Sequence, residues 1–276
     1  MNDNPLDKKV IFLAIFFALL MLATTFLNSF LDGRTKIVFC AVGQGDAAYI
    51  RIKNNFDLLV DAGPDRSVLD CLGKYMPFYD RKIELVVLSH PQKDHYGGLS
   101  YLLDRYKIDQ ILMSPIGNPN KTFTGLKEKI KKKRALVSLV QAGLKVNLDT
   151  AQLLFLSPTG VASGKAPSDE NDFSLVFLFQ ENNFRVLFTG DASTNVINRL
   201  SNQAIPKIDI LKIPHHGSKN GLTKKFLLLA DPTLSVISVG AKNSYGHPSN
   251  ELLDMLKATK TDYKRTDKDG DIMFKL

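Results

Sequence analysis

The chain has 276 residues, 44% of them apolar and 23% charged, with 18 Gly and 12 Pro. That composition excludes disordered, fibrous and low-complexity classes and suits one folded domain of about 200–250 residues with some chain to spare. Two cysteines exclude a disulfide-rich scaffold and a four-cysteine zinc knuckle, and the net charge of +8 is compatible with a polyanionic partner without proving one.

The first element is apolar. No charge occurs from Val10 to Leu31, and Val10–Ala23 (VIFLAIFFALLMLA) is apolar throughout. As a helix this run is about 33 Å long, enough to cross a hydrocarbon core of about 30 Å. Lys8 and Lys9 just before it favour a cytoplasmic N-terminus. Residues 1–35 therefore read as a tail and transmembrane signal-anchor, and residues 36–276 as a domain held outside the cytoplasm. Two alternatives stand beside this. A cleaved secretory signal would make the domain secreted, although Ala23-Thr24-Thr25 matches a small-x-small cleavage site poorly. A buried core helix is the other, although the run has no amphipathic stripe.

Beyond it, short apolar and β-branched segments alternate with helical ones. Strands are expected at Ile37–Cys40, Ala47–Ile52, Phe56–Val60, Leu85–Ser89, Gln110–Met113, Gln152–Leu156, Ser174–Phe179, Phe184–Phe188, Ile208–Ile213 and Thr233–Val239. Helices are expected at Val68–Tyr75, Gly97–Tyr106, Lys121–Arg134, Ser193–Asn202, Thr223–Ala230 and Ser249–Lys257. Asp262–Thr266 and Asp271–Lys275 read as a closing hairpin around Asp269-Gly270. Clustered strands with helices between them suit an α/β protein, a layered αββα sandwich. Cys40 and Cys71 read as small buried apolar residues; a disulfide between them does not follow from their spacing.

All five histidines follow strand ends. His90 and His95 lie in Ser89–His95 (SHPQKDH), His215 and His216 in Pro214–Ser218 (PHHGS), and His247 in Tyr245–Pro248 (YGHP). Asp61 and Asp191 also end strands. One histidine after a strand is ordinarily a hydrogen-bonded residue, and Asp191 alone could cap a helix at Ser193. Together these loops point to a metal. Imidazole and carboxylate are the usual ligands of zinc, manganese and iron, and a hydrolytic ion needs several of them held rigidly with a position left for water.

These motifs resemble the metallo-β-lactamase fold superfamily, and within it the soluble domain of the ComEC group of DNA-uptake competence proteins. The likeness runs over about residues 36–276: Val42-Gly43-Gln44-Gly45-Asp46, Leu59–Gly63, Ser89–Gly98, Asn171–Val176, Phe188–Asp191, Leu211–Ser218, Asn243–Pro248 and Arg265–Gly270. It implies a four-layer αββα sandwich with one or two divalent ions, zinc or manganese, at its edge. By that resemblance His90, Gln92, Asp94, His95, Asp191 and His215 are the metal-binding set. Asp94 and His95 would hold one ion, Asp191 would bridge to a second, and His90 would bind that second ion. Asp94, His216 and His247 are the residues assigned to catalysis, with the roles of His215, His216 and His247 exchangeable. Asp61, Asp46 and Asp172 would support the ligands. One departure is clear: Gln92 stands where the superfamily pattern His-x-His-x-Asp-His has its middle histidine. A third-loop histidine is also missing, with Asn171 or Asp172 as stand-ins. Both losses weaken one metal position.

The implied reaction is attack of a metal-activated water on a phosphodiester, with nucleic acid held through its backbone only; His216 or His247 would be the general acid. The basic run Lys129–Arg134 (KIKKKR) would attract phosphates, or be a solvated helix face. Two other readings remain: an exported esterase or phosphodiesterase acting on envelope or small-molecule phosphoesters, and, because of Gln92, a metal-poor binding module without catalysis.

Overall fold

The computed structural model describes residues 5–160 and 169–276. The first element, α1 (Pro5–Leu31), is apolar around its circumference, and its Lys8–Thr25 stretch has no buried residue. Length and composition suffice to cross a bilayer. The exposed side chains of Phe12, Leu13 and Phe16 remove the reading as a buried core helix.

The remainder starts with β1 (Lys36–Phe39), β2 (Ala48–Ile52), β3 (Phe56–Val60), α2 (Val68–Tyr75) and β4 (Lys82–Leu88). It continues with α3 (Lys93–Tyr96), α4 (Leu99–Arg105), β5 (Lys107–Met113), α5 (Lys121–Lys133) and β6 (Leu136–Leu139). Then come β7 (Lys145–Leu148), β8 (Ala151–Ser157), β9 (Val176–Glu181), β10 (Phe184–Phe188), α6 (Thr194–Leu200) and β11 (Ile210–Lys212). The last elements are α7 (Lys224–Ala230), β12 (Leu234–Ile237), α8 (Asn250–Ala258), β13 (Tyr263–Arg265), α9 (Thr266–Asp269) and β14 (Ile272–Lys275).

Two seven-stranded sheets form, in the orders β14-β1-β2-β3-β4-β5-β6 and β13-β12-β11-β10-β9-β8-β7. Strand alternation divides the apolar residues among three layers. Ile50, Leu58, Val87, Phe155, Phe177 and Phe188 meet between the sheets. There the Phe39 and Phe188 rings stack at 5.7 Å and the Phe177 and Phe188 rings at 5.0 Å. Each such buried side chain contributes about 1.5–3 kcal/mol. Leu72, Leu99, Leu102 and Leu126 carry α2, α4 and α5 onto the outer face of the first sheet. Ile197, Leu200, Phe226 and Leu252 carry α6, α7 and α8 onto the other. This is the expected αββα sandwich.

Four local expectations change. Tyr263–Arg265 and Ile272–Lys275 are not a hairpin. β13 pairs parallel with β12 in the second sheet, whereas β14 pairs antiparallel with β1 in the first. Asp269-Gly270 closes the short α9 instead of a turn, and the chain crosses between sheets there so that Ile272 and Phe274 reach the inter-sheet core. Leu136–Leu139 and Lys145–Leu148 are outermost strands that the sequence pattern does not mark; three of the four residues of β6 are exposed, so it has no burial pattern. His95 sits inside the short helix α3, not in an open loop. Cys40 and Cys71 form a disulfide across 31 residues, tying the end of β1 to α2.

Strand direction positions everything that follows. β3, β4 and β5 run parallel, as do β10, β11 and β12. Their C-terminal ends open at one edge of the sandwich, where parallel sheets generally receive ligands. The loops leaving those ends carry Asp61, His90–His95, Asp191, His215–His216 and Ser238.

Candidate metal centre

The edge is drawn tight by backbone contacts. A Cβ on Gly45 would lie 2.3 Å from the Asp94 carbonyl oxygen, and one on Gly98 would lie 2.0 Å from that of Ala62. Only glycine lets the Gly43–Asp46 turn, the Asp61–Gly63 loop and α3 pack so closely. Asp46 N donates to Asp94 O at 3.2 Å, and Ala62 N to His95 O at 2.7 Å. On the second sheet His215 and His216 both take left-handed backbone conformations, φ 52° each, uncommon for residues with a Cβ. His215 N donates to Gly190 O, which ties this loop to the one bearing Asp191.

Asp94, His95, Asp191 and His216 converge, each offering a ligand atom within 4.8 Å of the others. His95 is fully buried. Its Nδ1 lies 2.9 Å from Asp61 Oδ2, which turns Nε2 toward Asp191 Oδ1 at 3.3 Å. His216 repeats the arrangement: Nδ1 faces Ser238 O at 3.0 Å and Asp46 Oδ1 at 3.2 Å, and Nε2 faces Asp94 Oδ2 at 3.3 Å and Asp191 Oδ2 at 3.4 Å. In both, a carboxylate holds one ring nitrogen and leaves the other for the centre, as it does behind metal-bound histidines. Asp61 is itself fixed by Ser89, whose N and Oγ both donate to it at 2.7 Å. Asp46 is paired with the buried Lys212.

The other candidates fall around this core. His90 is fully buried with Nδ1 3.0 Å from Ser89 Oγ and its ring 4.2 Å from that of His95. His215 Nε2 lies 3.9 Å from Asp191 Oδ2 and is partly exposed. Gln92 precedes α3 and, with Gln44, Asp94, Asp191, His215, His216, Tyr245 and His247, lines a cleft of about 110 Å³. Asp172 accepts a hydrogen bond from Ser193 Oγ near the start of α6 and does not join the cluster, while Asn171 is buried with Oδ1 unpartnered. Sequence reasoning missed Ser89, Lys212 and Tyr245. A lysine inside an apolar buried strand was the available signal for Lys212; nothing singles out the other two.

The charges fit a cation. Four carboxylates, from Asp46, Asp61, Asp94 and Asp191, are countered, among fixed charges of the described residues, by Lys212 alone. Burial opposes charge on His95 and His216, yet Asp191 with Asp61 or Asp46 overrides it and holds both imidazoles well above their ordinary pKa. Burial works to raise Asp191, and His216 and His95 hold it well below the carboxylate range instead. His90 behaves oppositely, pushed down to about 3 by burial and by His95. Nε2 of His90 and His95 and Oδ1 of Asp191 are buried without a hydrogen-bond partner. Asp94, His95, Asp191 and His216 converge as a mixed nitrogen and oxygen set, the donor chemistry that a divalent ion takes, with both rings losing their protons when it binds.

The model of the family described as "Metallo-beta-lactamase superfamily" matches residues 40–241. The chain belongs to the metallo-β-lactamase superfamily. Among curated relatives, ComE operon protein 3 of Bacillus subtilis is 24% identical over 269 residues, 91% of this chain and 34% of that protein. Competence protein ComA of Neisseria gonorrhoeae is 26% identical over 251 residues, 89% of this chain and 33% of that protein. These are ComEC-like competence proteins, of which this metallo-β-lactamase chain spans about a third. Among solved structures, the metallo-β-lactamase fold protein YhfI of Bacillus subtilis superposes with a TM-score of 0.60 at 14% identity, covering 88% of this chain and 100% of that one. That likeness speaks to fold alone.

Proposed function

We propose that the chain is a metal-dependent phosphodiesterase that cleaves nucleic-acid backbones outside the cytoplasm, anchored by α1. The observation that carries this is Asp191 set between the Nε2 atoms of His95 and His216, with both imidazoles braced from behind by buried carboxylates. Asp94, His95, Asp191 and His216 would hold one divalent ion; His90 and Gln92, sharing Asp191 and helped by His215, would hold a weaker second one. Zinc or manganese bound there supplies an acidified water and neutralises charge on the attacked phosphoryl oxygens. The chain's own residues do the rest. Asp61 and Asp46 fix the ring orientation of His95 and His216. The partly exposed His215 and His247, whose rings lie 5.8 Å apart, flank the cleft where a leaving oxygen must gain a proton. Nucleic acid as substrate is supported by the resemblance to DNA-uptake competence proteins and by the net charge of +8. The disulfide and the lysines before α1 support the side of the membrane.

A second reading keeps the site and changes the substrate. A cleft of about 110 Å³ takes one phosphoester group, which also suits a small envelope phosphoester. The full chain in detergent, given manganese or zinc, decides among the readings. Cleavage of a single-stranded oligonucleotide, abolished by chelator, is the expected result. Hydrolysis of bis-p-nitrophenyl phosphate without oligonucleotide cleavage selects the small-ester enzyme. No hydrolysis, with less than one metal per chain, selects the non-catalytic binding module that Gln92 first suggested.

A further inference from the structure

The Lys129–Arg134 run does not lie at the cleft. α5 begins beside it, where Thr122 Oγ1 bonds Tyr96 Oη at 2.8 Å, next to His95. The helix then runs about 20 Å away, so its basic end lies toward the opposite edge of the sandwich. Two further features share that edge. Arg134 is followed by β6, whose first residue, Leu136, pairs with Gln110 of β5 in a parallel ladder. β4 starts there too, with Lys82 opposite Lys107, and just before it stand Phe78 and Tyr79, 80% and 49% exposed, their rings 5.5 Å apart. Asp80 fixes that loop by accepting from Arg51 Nη1 at 3.0 Å. β1, which runs parallel to β3 and β4, also starts there, with Lys36 opposite Arg51. Only residues 32–35 separate it from the end of α1, a reach of about 17 Å at most.

We propose that this edge is a membrane-docking face: Phe78 and Tyr79 enter the interfacial layer while Lys131, Lys132 and Arg134 bind anionic lipid headgroups. Three features on different elements converge there. Exposed aromatics at a loop tip suit the boundary between headgroup and acyl chain. Lys129 is engaged by Asp104 at 2.6 Å and Lys133 lies 3.8 Å from the same carboxylate, but Lys131, Lys132 and Arg134 are exposed and make no ion pair within 4 Å among the described residues, although Glu128 lies one turn back on the helix. A cluster of basic residues beside an anchor is attracted to anionic lipid at roughly fivefold in affinity per residue. The occupant is the bilayer because α1 already delivers this edge to it; the inference rests on the anchoring of α1 and not on the chemistry of the metal centre.

The test uses the full chain in two kinds of vesicle, phosphatidylcholine alone and phosphatidylcholine with an equal part of phosphatidylglycerol, each carrying brominated acyl chains. The chain has no tryptophan, so Phe78→Trp and, at the opposite edge, Tyr245→Trp each give one reporter. In the anionic vesicles the Phe78→Trp emission should shift blue and be quenched, and the Tyr245→Trp emission should do neither. Replacing Lys131, Lys132 and Arg134 with Gln should weaken docking by on the order of 100-fold and restore the Phe78→Trp emission. Equal quenching at both reporters, or none at position 78 in vesicles that carry the chain, overturns the docking face. A chain that fails to float with vesicles overturns the anchor and the face together. Lost oligonucleotide binding in the triple variant, with quenching undiminished, assigns the basic run to nucleic acid and overturns the proposal.

Discussion

The β2–β3 hairpin carries a buried charged cluster at each end, and the two are built on opposite terms. At the end away from the cleft, Arg51 Nη1 donates to Asp57 at 2.5 Å and to Asp80 at 3.0 Å, and Nη2 donates to Asn54 O at 2.9 Å. Tyr49 Oη donates to the other Asp57 oxygen at 2.6 Å. Among these side chains only Arg51 Nε lacks a partner. At the cleft end, carboxylates outnumber fixed cations, and buried atoms of His90, His95 and Asp191 are left unpartnered. Burying charge is costly unless it is neutralised nearby. The first cluster satisfies nearly all of its donors and acceptors internally and so holds the hairpin; the second leaves buried polar atoms without partners around a set of residues that can hold an ion. Counting partners, not charges, separates a structural cluster from a reactive one.

The sharpest way to break this contrast is at Asp191. Asp191→Asn should cost at least about 10³-fold in turnover of a phosphodiester, since several kcal/mol of charge stabilisation leave with the ligand. Metal content should fall, and the melting temperature compared between the metal-free proteins should not. A variant that unfolds instead would make the cleft cluster structural. Arg51→Met is the mirror experiment. It strands the Asp57 carboxylate in the interior and should cost about 3–5 kcal/mol in denaturant unfolding, while the folded fraction keeps its metal affinity.

Asp61→Asn probes the brace behind His95. It should weaken metal affinity about 10–100-fold in a chelator competition and leave the fold intact; unchanged affinity would mean that the orientation of His95 is set by packing alone. The smallest effect concerns pH. Burial pushes the Asp57 carboxyl up to about 6, although Tyr49 and Arg51 both bond it. Its folded value therefore exceeds the unfolded one of about 3.9. The stability contributed by protonation is fully present below about 4 and is lost as pH rises through about 6. Tyr49, Arg51, Asp80 and Glu84 are the ionisable groups facing it. Raising the pH from about 4 to about 7 should lower the melting temperature of the wild type relative to Asp57→Asn. Parallel curves would show that Asp57 stays ionised throughout.

The site was legible in the sequence to the extent that ligands sit at strand ends. Placing Asp61, His90, Asp191 and His216 there needs only the apolar runs before them, whereas His95 arrives one short helix later. Which of His215 and His216 faces the centre was not legible, because adjacent residues exchange faces with a single backbone rotation. The paired left-handed conformations make that choice, and no spacing rule gives them. The same limit explains the C-terminal error. An Asp-Gly between two short apolar segments signals a chain reversal, but which sheet each segment joins depends on the edges left open: β13 takes that of β12, whereas β14 takes that of β1, more than 200 residues earlier in the chain. Lys212 was hidden differently: its partner, Asp46, lies on the other sheet.

The Cys40–Cys71 cross-link leaves β1 just before the turn that delivers Gln44 and Asp46. Asp46 braces His216 from that turn, so the one covalent staple among the described residues stands a few residues upstream of the catalytic edge. Protein produced in a thiol-reducing cytosol would keep its sandwich but carry a looser His216, and a worker measuring it would record a poor enzyme where an oxidase-treated sample of the same chain would give a good one.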